Sequence, residues 1–270
     1  MSPWEANWRK VRTLFGTWLA HMTIYRAEII IWMLAGTVPL IMMAVWIGKA
    51  QAEGGSVGGF SAQDFAAYFL AAWLSGQLVV AWVAWELDFH IRQGILSTKL
   101  LRPINPFWEF FAQHVTERFV RGPFIALIVV AGVLLVPGTV LVASVPHLLV
   151  FFLAITLAFC VRFLIAYCVG LCCFWLENAT ALDELYFILS VMLAGSFAPL
   201  EFYPAWLRPI LDWLPFPYIV YYPARILTGA LEWSEVWRVV LVQLGWLAAT
   251  LVLFQILWTQ GRKRYGAVGA

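Results

Sequence analysis

Residues Leu148–Trp175 run for 28 positions with a single charge, Arg162. About 20 apolar residues in a helix already cross the hydrocarbon layer of a bilayer. A backbone in that layer has no water to bond, so it must satisfy its own N–H and C=O groups, and a helix does so within one segment. Ile29–Gly48, Phe65–Trp85 and Val239–Trp258 repeat the pattern. Two further candidates are less regular. Phe124–Val136 is short before Pro137-Gly138 and needs residues from Phe119 onward or as far as Val145. Ala181–Leu200 opens with Asp183 and Glu184. The expected fold is an all-α integral membrane protein with six transmembrane helices. Hydrophobic residues make up 63% of the chain and charged ones 12%, about half the share usual in soluble domains. The long fourth span has length to tilt or to project beyond the lipid.

Charge placement predicts the orientation. Arg9, Lys10, Arg12 and Arg26 precede the first span. Arg92, Lys99, Arg102, Arg118 and Arg121 fall in the second connection, and Arg262, Lys263 and Arg264 follow the last span. Only Lys49, Arg208, Arg225 and Arg238 fall on the other side. Basic residues stay on the cytoplasmic side, so both termini are expected there. The connection Glu177–Glu184 has no Lys or Arg to support this placement. The first apolar run follows a segment rich in Trp and Arg, without a small-residue cleavage site, and is expected to stay as an anchor.

Residues 1–26 read as an amphipathic interfacial helix. Trp4, Trp8, Val11, Phe15, Trp18 and Met22 recur at helical spacing, with Arg9, Lys10 and Thr13 off that stripe. Packing of this helix on other protein is the alternative. Residues 27–258 form the transmembrane domain and 259–270 a cytoplasmic tail. Residues 51–63, rich in Gly and Ser, read as a flexible external loop. In the polar stretch 88–106, Ile95, Leu96, Leu100 and Leu101 could form the apolar face of a short helix ending before Pro103. In 199–234, Pro199, Pro204, Pro209, Pro215, Pro217 and Pro223 forbid one continuous helix. Trp206, Ile210 and Trp213 fit a short helix from Pro204; Ile219, Tyr222 and Ile226 fit another from Pro217. Both would re-enter or lie on the outer leaflet.

The chemistry-bearing residues are few. No phosphate-cradling GxxxxGK[ST] loop, HExxH or GxSxG occurs. Cys160, Cys168, Cys172 and Cys173 all fall on the fourth span, with no His or carboxylate at ligand spacing, and read as buried small side chains. No metal or cofactor is expected in this chain. Arg162, midway along its span, is costly there unless paired or hydrated. It marks either a substrate path or an intramembrane pair with Asp183 or Glu184. Those two carboxylates also suit the positive end of the fifth helix. Ala72 and Gly76, and Ala194 and Ala198, have spacing for close helix approach.

Four segments in order resemble the permease subunit of ATP-binding-cassette transporters of the type-2 exporter group. They are the N-terminal elbow; Ile91-Arg92-Gln93-Gly94-Ile95-Leu96 leading to Leu100-Leu101-Arg102-Pro103-Ile104-Asn105-Pro106; Pro199-Leu200-Glu201-Phe202-Tyr203-Pro204 with Pro215-Phe216 and Tyr222-Pro223-Ala224-Arg225; and the ending Gly261-Arg262-Lys263-Arg264-Tyr265-Gly266-Ala267-Val268-Gly269. The resemblance implies half of a translocation path, driven by two separate cytoplasmic ATPase subunits that hold the ATP and Mg. It implies a second permease copy or a related permease, membrane lipids as surroundings and no nucleic-acid partner. Arg92, Gly94, Ile95, Leu96, Lys99, Leu100, Leu101 and Arg102 match its ATPase-docking coupling segment. Export of an amphipathic or lipid-like substrate fits the apolar path. A stand-alone secondary transporter, a membrane-embedded enzyme and a scaffold without transport are the alternatives. Internal repeats and buried carboxylates would mark the first.

Overall fold

A computed structural model of the protein describes residues 3–24, 31–34, 36–176 and 179–265. It is an almost wholly helical membrane protein, and among the described residues five stretches are long and apolar enough to cross a bilayer: Ile31–Ala52, Ala62–Arg92, Pro106–Leu135, Val145–Phe174 and Trp233–Arg264. Helix α1 is Pro3–Ile24 and α2 is Val38–Ala52. A small antiparallel hairpin, β1 Ser56–Val57 with β2 Phe60–Ser61, pairs Ser56 with Ser61. It turns the chain into α3, Ala62–Val79, whose start is sealed by a reciprocal cap between Ser61 and Asp64. After a break come α4 Val83–Arg92 and the six-residue α5 Ile95–Leu100. The next helices are α6 Pro106–Leu135 and α7 Val145–Leu171.

Helix α6 is far longer than the run Phe124–Val136 that suggests it. It begins at Asn105, whose Oδ1 accepts from the Phe107 amide at 3.0 Å, with Pro106 at the first helical position. It therefore absorbs Arg118 and Arg121, which the sequence reading leaves in a connection.

The expected fifth span, Ala181–Leu200, is the 14-residue α8 Thr180–Leu193. At about 1.5 Å per residue it is some 21 Å long, short of a full crossing. It stops because Gly195 turns at φ +86°, and the Tyr68 hydroxyl donates to the Gly195 carbonyl at 2.7 Å. Ala194 and Ala198 thus lie beyond the helix and form no close-approach stripe.

Three short helices follow: α9 Arg208–Leu211, α10 Phe216–Ile219 and α11 Tyr221–Leu227. They form a hairpin that re-enters the bundle. Gln243 sits about 15 Å down the last helix, α12 Trp233–Arg264, from its Trp233 end. Its Nε2 donates to the carbonyls of Ala154 (3.0 Å) and Tyr218 (2.8 Å). Deeper still, Phe216 packs on Tyr186 of α8, ring centres 5.5 Å apart. Non-helical backbone at this depth is tolerated because protein surrounds it: Phe216, Tyr218 and Ile219 are buried. The expected first amphipathic helix is reduced to α9, and Trp206 and Trp213 stand exposed beside it.

The core is aromatic and centres on α3, buried from Phe65 to Trp73 between α2, α6, α7 and α11. Helix α1 runs along α6. Phe15 meets Phe119 edge-on at 5.4 Å, and Met22 is buried with Met33, Trp73 and Ile125. The side chains of Trp4, Trp8, Lys10 and Val11 lie outside the described residues, as do Arg26, Glu177 and the ending 266–269. Residues 259–264, expected in the tail, continue α12.

Candidate functional site

One end of the bundle gathers the basic residues around α5. Gly94, at φ +71°, lets the chain reverse out of α4 and start α5, a backbone that side chains with a Cβ rarely adopt. The Ser97 amide donates to the Tyr265 hydroxyl at 3.2 Å, so the end of α12 braces the turn. Lys99 Nζ reaches Glu109 Oε1 at 2.7 Å, and Arg102 Nη1 reaches Glu109 Oε2 at 3.4 Å. Arg92 pairs with Asp88 at 2.9 Å.

Burial divides the expected docking residues into two sets. Leu96 is fully enclosed and Lys99 is buried against the Phe110 ring, its Nζ 4.9 Å from the centroid. Both point inward, and Gly94, Ile95 and Leu100 are half-buried. The shared apolar face expected for Ile95, Leu96, Leu100 and Leu101 does not form: α5 ends at Leu100, and Leu101 swings out to 88% exposure. The outward surface includes Arg92, Gln93, Thr98, Leu101, Arg102 and Pro103.

Above this turn the second span is broken at Val80–Trp82, which frees carbonyls that a continuous helix would use. Helix α6 supplies the missing partners. Arg118 Nε donates to Leu78 O at 2.5 Å, Nη2 to Val80 O at 2.9 Å and Nη1 to His114 O. The Trp82 amide donates to His114 Nε2 at 3.3 Å, which leaves the ring proton on Nδ1 facing Phe110 O at 2.9 Å. Trp82 Nε1 donates to Glu117 Oε2 at 2.9 Å. Arg121 pairs with Glu117 and donates to Gln77 Oε1 at 3.2 Å, and Gln77 donates onward to Met33 O at 3.4 Å. One turn further toward the basic end, Gln113 donates to Glu86 at 2.8 Å. The sequence reading missed this layer by treating Arg118 and Arg121 as loop charges. The signal was there: Phe110, His114, Glu117 and Arg121 recur at helical spacing, and all four are buried.

The structure also shows what surrounds Arg162. Its neighbours on α7 set the level: the Arg118 guanidinium lies 3.4 Å over the Phe159 ring, and Phe163 meets His114 at 5.3 Å. Arg162 therefore lies level with the polar layer, near the middle of its span. Its guanidinium stacks 4.2 Å over Tyr186. Asp183 and Arg162 each keep a buried atom without a hydrogen-bond partner, so no closed ion pair joins them. Glu184 is exposed on the opposite side of α8.

At the other end a cavity of about 350 Å³ opens beside the β-hairpin, lined in part by Phe60, Gln63, Asp64, Tyr68, Arg225 and Thr228. Arg225 pairs with Glu201 at 2.9 Å, and the Tyr221 hydroxyl donates to the same carboxylate. Burial holds the Tyr203 hydroxyl up at about 12, so at neutral pH it stays a donor, here to Met192 O. The four cysteines are unpaired thiols, Cys173 lying against Asp88. Among the described residues no group of His, Cys, Asp and Glu could hold a metal ion.

Residues 33–269 match the family model described as ABC-2 family transporter protein. No curated protein and no solved structure matches the chain. The matched stretch begins after α1 and includes the α5 turn, the polar layer and the re-entrant hairpin. A permease of this family is a transport component of the membrane, not itself catalytic, and family membership implies association with ABC ATPase subunits. The chain belongs to the ABC-2 family: it is a multi-pass membrane permease subunit of an ABC transporter.

Proposed function

We propose that the chain forms half of an exporter's translocation path in a bacterial inner membrane, with both termini in the cytoplasm. A second copy or a related permease completes the path. Two cytoplasmic ATPase subunits hold ATP and Mg and grip the α5 turn of each half. Helix α8 and the re-entrant hairpin together make the sixth crossing, and α1 lies in the cytoplasmic interface. An amphipathic or lipid-like substrate suits so apolar a path.

The observation that carries this reading is the two-sided α5. Leu96 and Lys99 root it in α6, while Thr98 and Leu101 face outward for a partner, with Arg102 exposed beside them and tied to Glu109. A rooted turn of this kind transmits force. Closure of the ATPase pair on ATP would push α5, and α4 would carry the movement up to the break at Val80–Trp82. ATP supplies the differential free energy between inward and outward openings.

Leu101→Asp tests the docking surface. Co-purified ATPase is expected to fall about tenfold, an interaction loss of roughly 1.4 kcal/mol, with folded yield unchanged. Leu96→Asp is expected to lower folded yield instead, because it buries a charge. Normal ATPase recovery with Leu101→Asp would refute the docking role.

A further inference from the structure

Helix α8 is amphipathic in the sense opposite to a soluble helix. Leu185, Phe187, Ile188 and Met192 are exposed, whereas Asp183, Tyr186 and Ser190 form a stripe turned toward the bundle. Across the seam from that stripe stands Arg162 of α7, against Tyr186. Four buried atoms here have no partner among the described residues: Arg162 Nη1, Asp183 Oδ1, Tyr186 Oη and Ser190 Oγ. Buried polar atoms are nearly always bonded, so four orphans in one seam need a physical account. Ionisable groups at membrane depth commonly mark a hydrated path or a substrate contact. The re-entrant tip closes the seam from the hairpin end, with Phe216 on Tyr186.

We propose that the α7–α8 seam is a headgroup site that is shut in this state and opens to admit an amphiphile. The proposal deepens the permease reading above and rests on it. The orphaned atoms specify the ligand chemistry. Arg162 Nη1 offers N–H donors to an anionic oxygen. Asp183 Oδ1 requires a donor about one helical turn away. Tyr186 and Ser190 can serve either need. A phosphate bearing an ammonium or hydroxyl arm meets both requirements. The exposed apolar side of α8 leaves the acyl chain in lipid while the headgroup enters the seam. Closed, the seam leaves polar groups unsatisfied; occupied, it satisfies them, and this difference favours the open state when ligand is present.

Binding of lysophosphatidylethanolamine to the purified chain in neutral detergent tests the site, with a monoacylglycerol of the same chain length as the phosphate-free control. Arg162→Gln is expected to weaken lysophosphatidylethanolamine binding at least tenfold, and Tyr186→Phe, which keeps the ring, severalfold. Neither should change monoacylglycerol binding. Unchanged affinity in Tyr186→Phe and Arg162→Gln, or equal wild-type affinity for both amphiphiles, would overturn the proposal. So would loss of folded protein in Arg162→Gln alongside unchanged binding by Tyr186→Phe. ATPase co-purification, read on the same samples, reports separately on the permease reading. Loss of headgroup selectivity with the ATPase still bound identifies the seam, whereas a wild-type chain that captures no ATPase but still selects the headgroup refutes only the transporter role.

Discussion

Arg118 shows how one side chain makes an otherwise forbidden backbone possible. A broken helix in lipid exposes carbonyls that nothing nearby can bond. The planar guanidinium reaches Leu78 O, Val80 O and His114 O together, an arrangement that a lysine ammonium on a flexible stem reproduces poorly. Arg118→Met is expected to destabilise the fold by about 1–3 kcal/mol for each carbonyl left buried and unpartnered. The thermal midpoint in detergent should fall clearly, and Arg118→Lys should recover less than half of the loss. A wild-type midpoint in Arg118→Met would show that the break needs no such support. Residue roles were the least legible part of the sequence. Leu96 and Leu101 look alike there, yet one is fully buried and the other is 88% exposed. The end of α5, set by the turn beyond Leu100, makes that difference.

At the scale of elements, α5 has too few residues to be stable alone, since a helix shorter than about 12 residues is marginal in water. It is held by the Lys99–Glu109 pair to α6, by Ser97 to Tyr265 of the chain beyond α12, and by Leu96 in the core. Glu109→Gln leaves the buried Lys99 charge uncompensated. It is expected to cost about 3–5 kcal/mol of stability and to uncouple ATP hydrolysis from transport. The double variant Lys99→Met/Glu109→Leu should recover most of the stability, because an apolar pair of similar size needs no desolvation of charge. Additive losses in the thermal midpoint of the double variant would refute the pairing. The existence of α6 and α7 was legible from their apolar runs. The extension of α6 back to Pro106 was hidden, because Glu109, Glu117, Arg118 and Arg121 look like loop residues until α3 and α4 are placed beside them. Likewise the 14-residue length of α8 followed from the Gly195 turn and its contact with Tyr68 on another helix.

For the whole molecule, the large apolar side chains on the outside, among them Leu127, Leu134, Leu149 and Leu241, call for lipid around the bundle. The proposed orientation has a direct check. Ser56→Cys, in the β-hairpin, should react with a membrane-impermeant maleimide added to intact cells. A fluorescent protein fused after Ala270 should fluoresce, as it does when folded in the cytoplasm. Labelling of Ser56→Cys only after the cells are opened would reverse the assigned orientation. The sequence by itself determined that this protein is helical, crosses the membrane several times and carries its positive charge at one end. Those properties follow from the local cost of leaving a backbone group or a cation in hydrocarbon, and each is paid within a single segment. Only the tertiary structure decided which polar residues lie inside, where the second span breaks and what surrounds Arg162. Each of these depends on a partner from a distant element: Arg118 for the freed carbonyls, His114 for the Trp82 amide, Tyr186 beneath the guanidinium of Arg162.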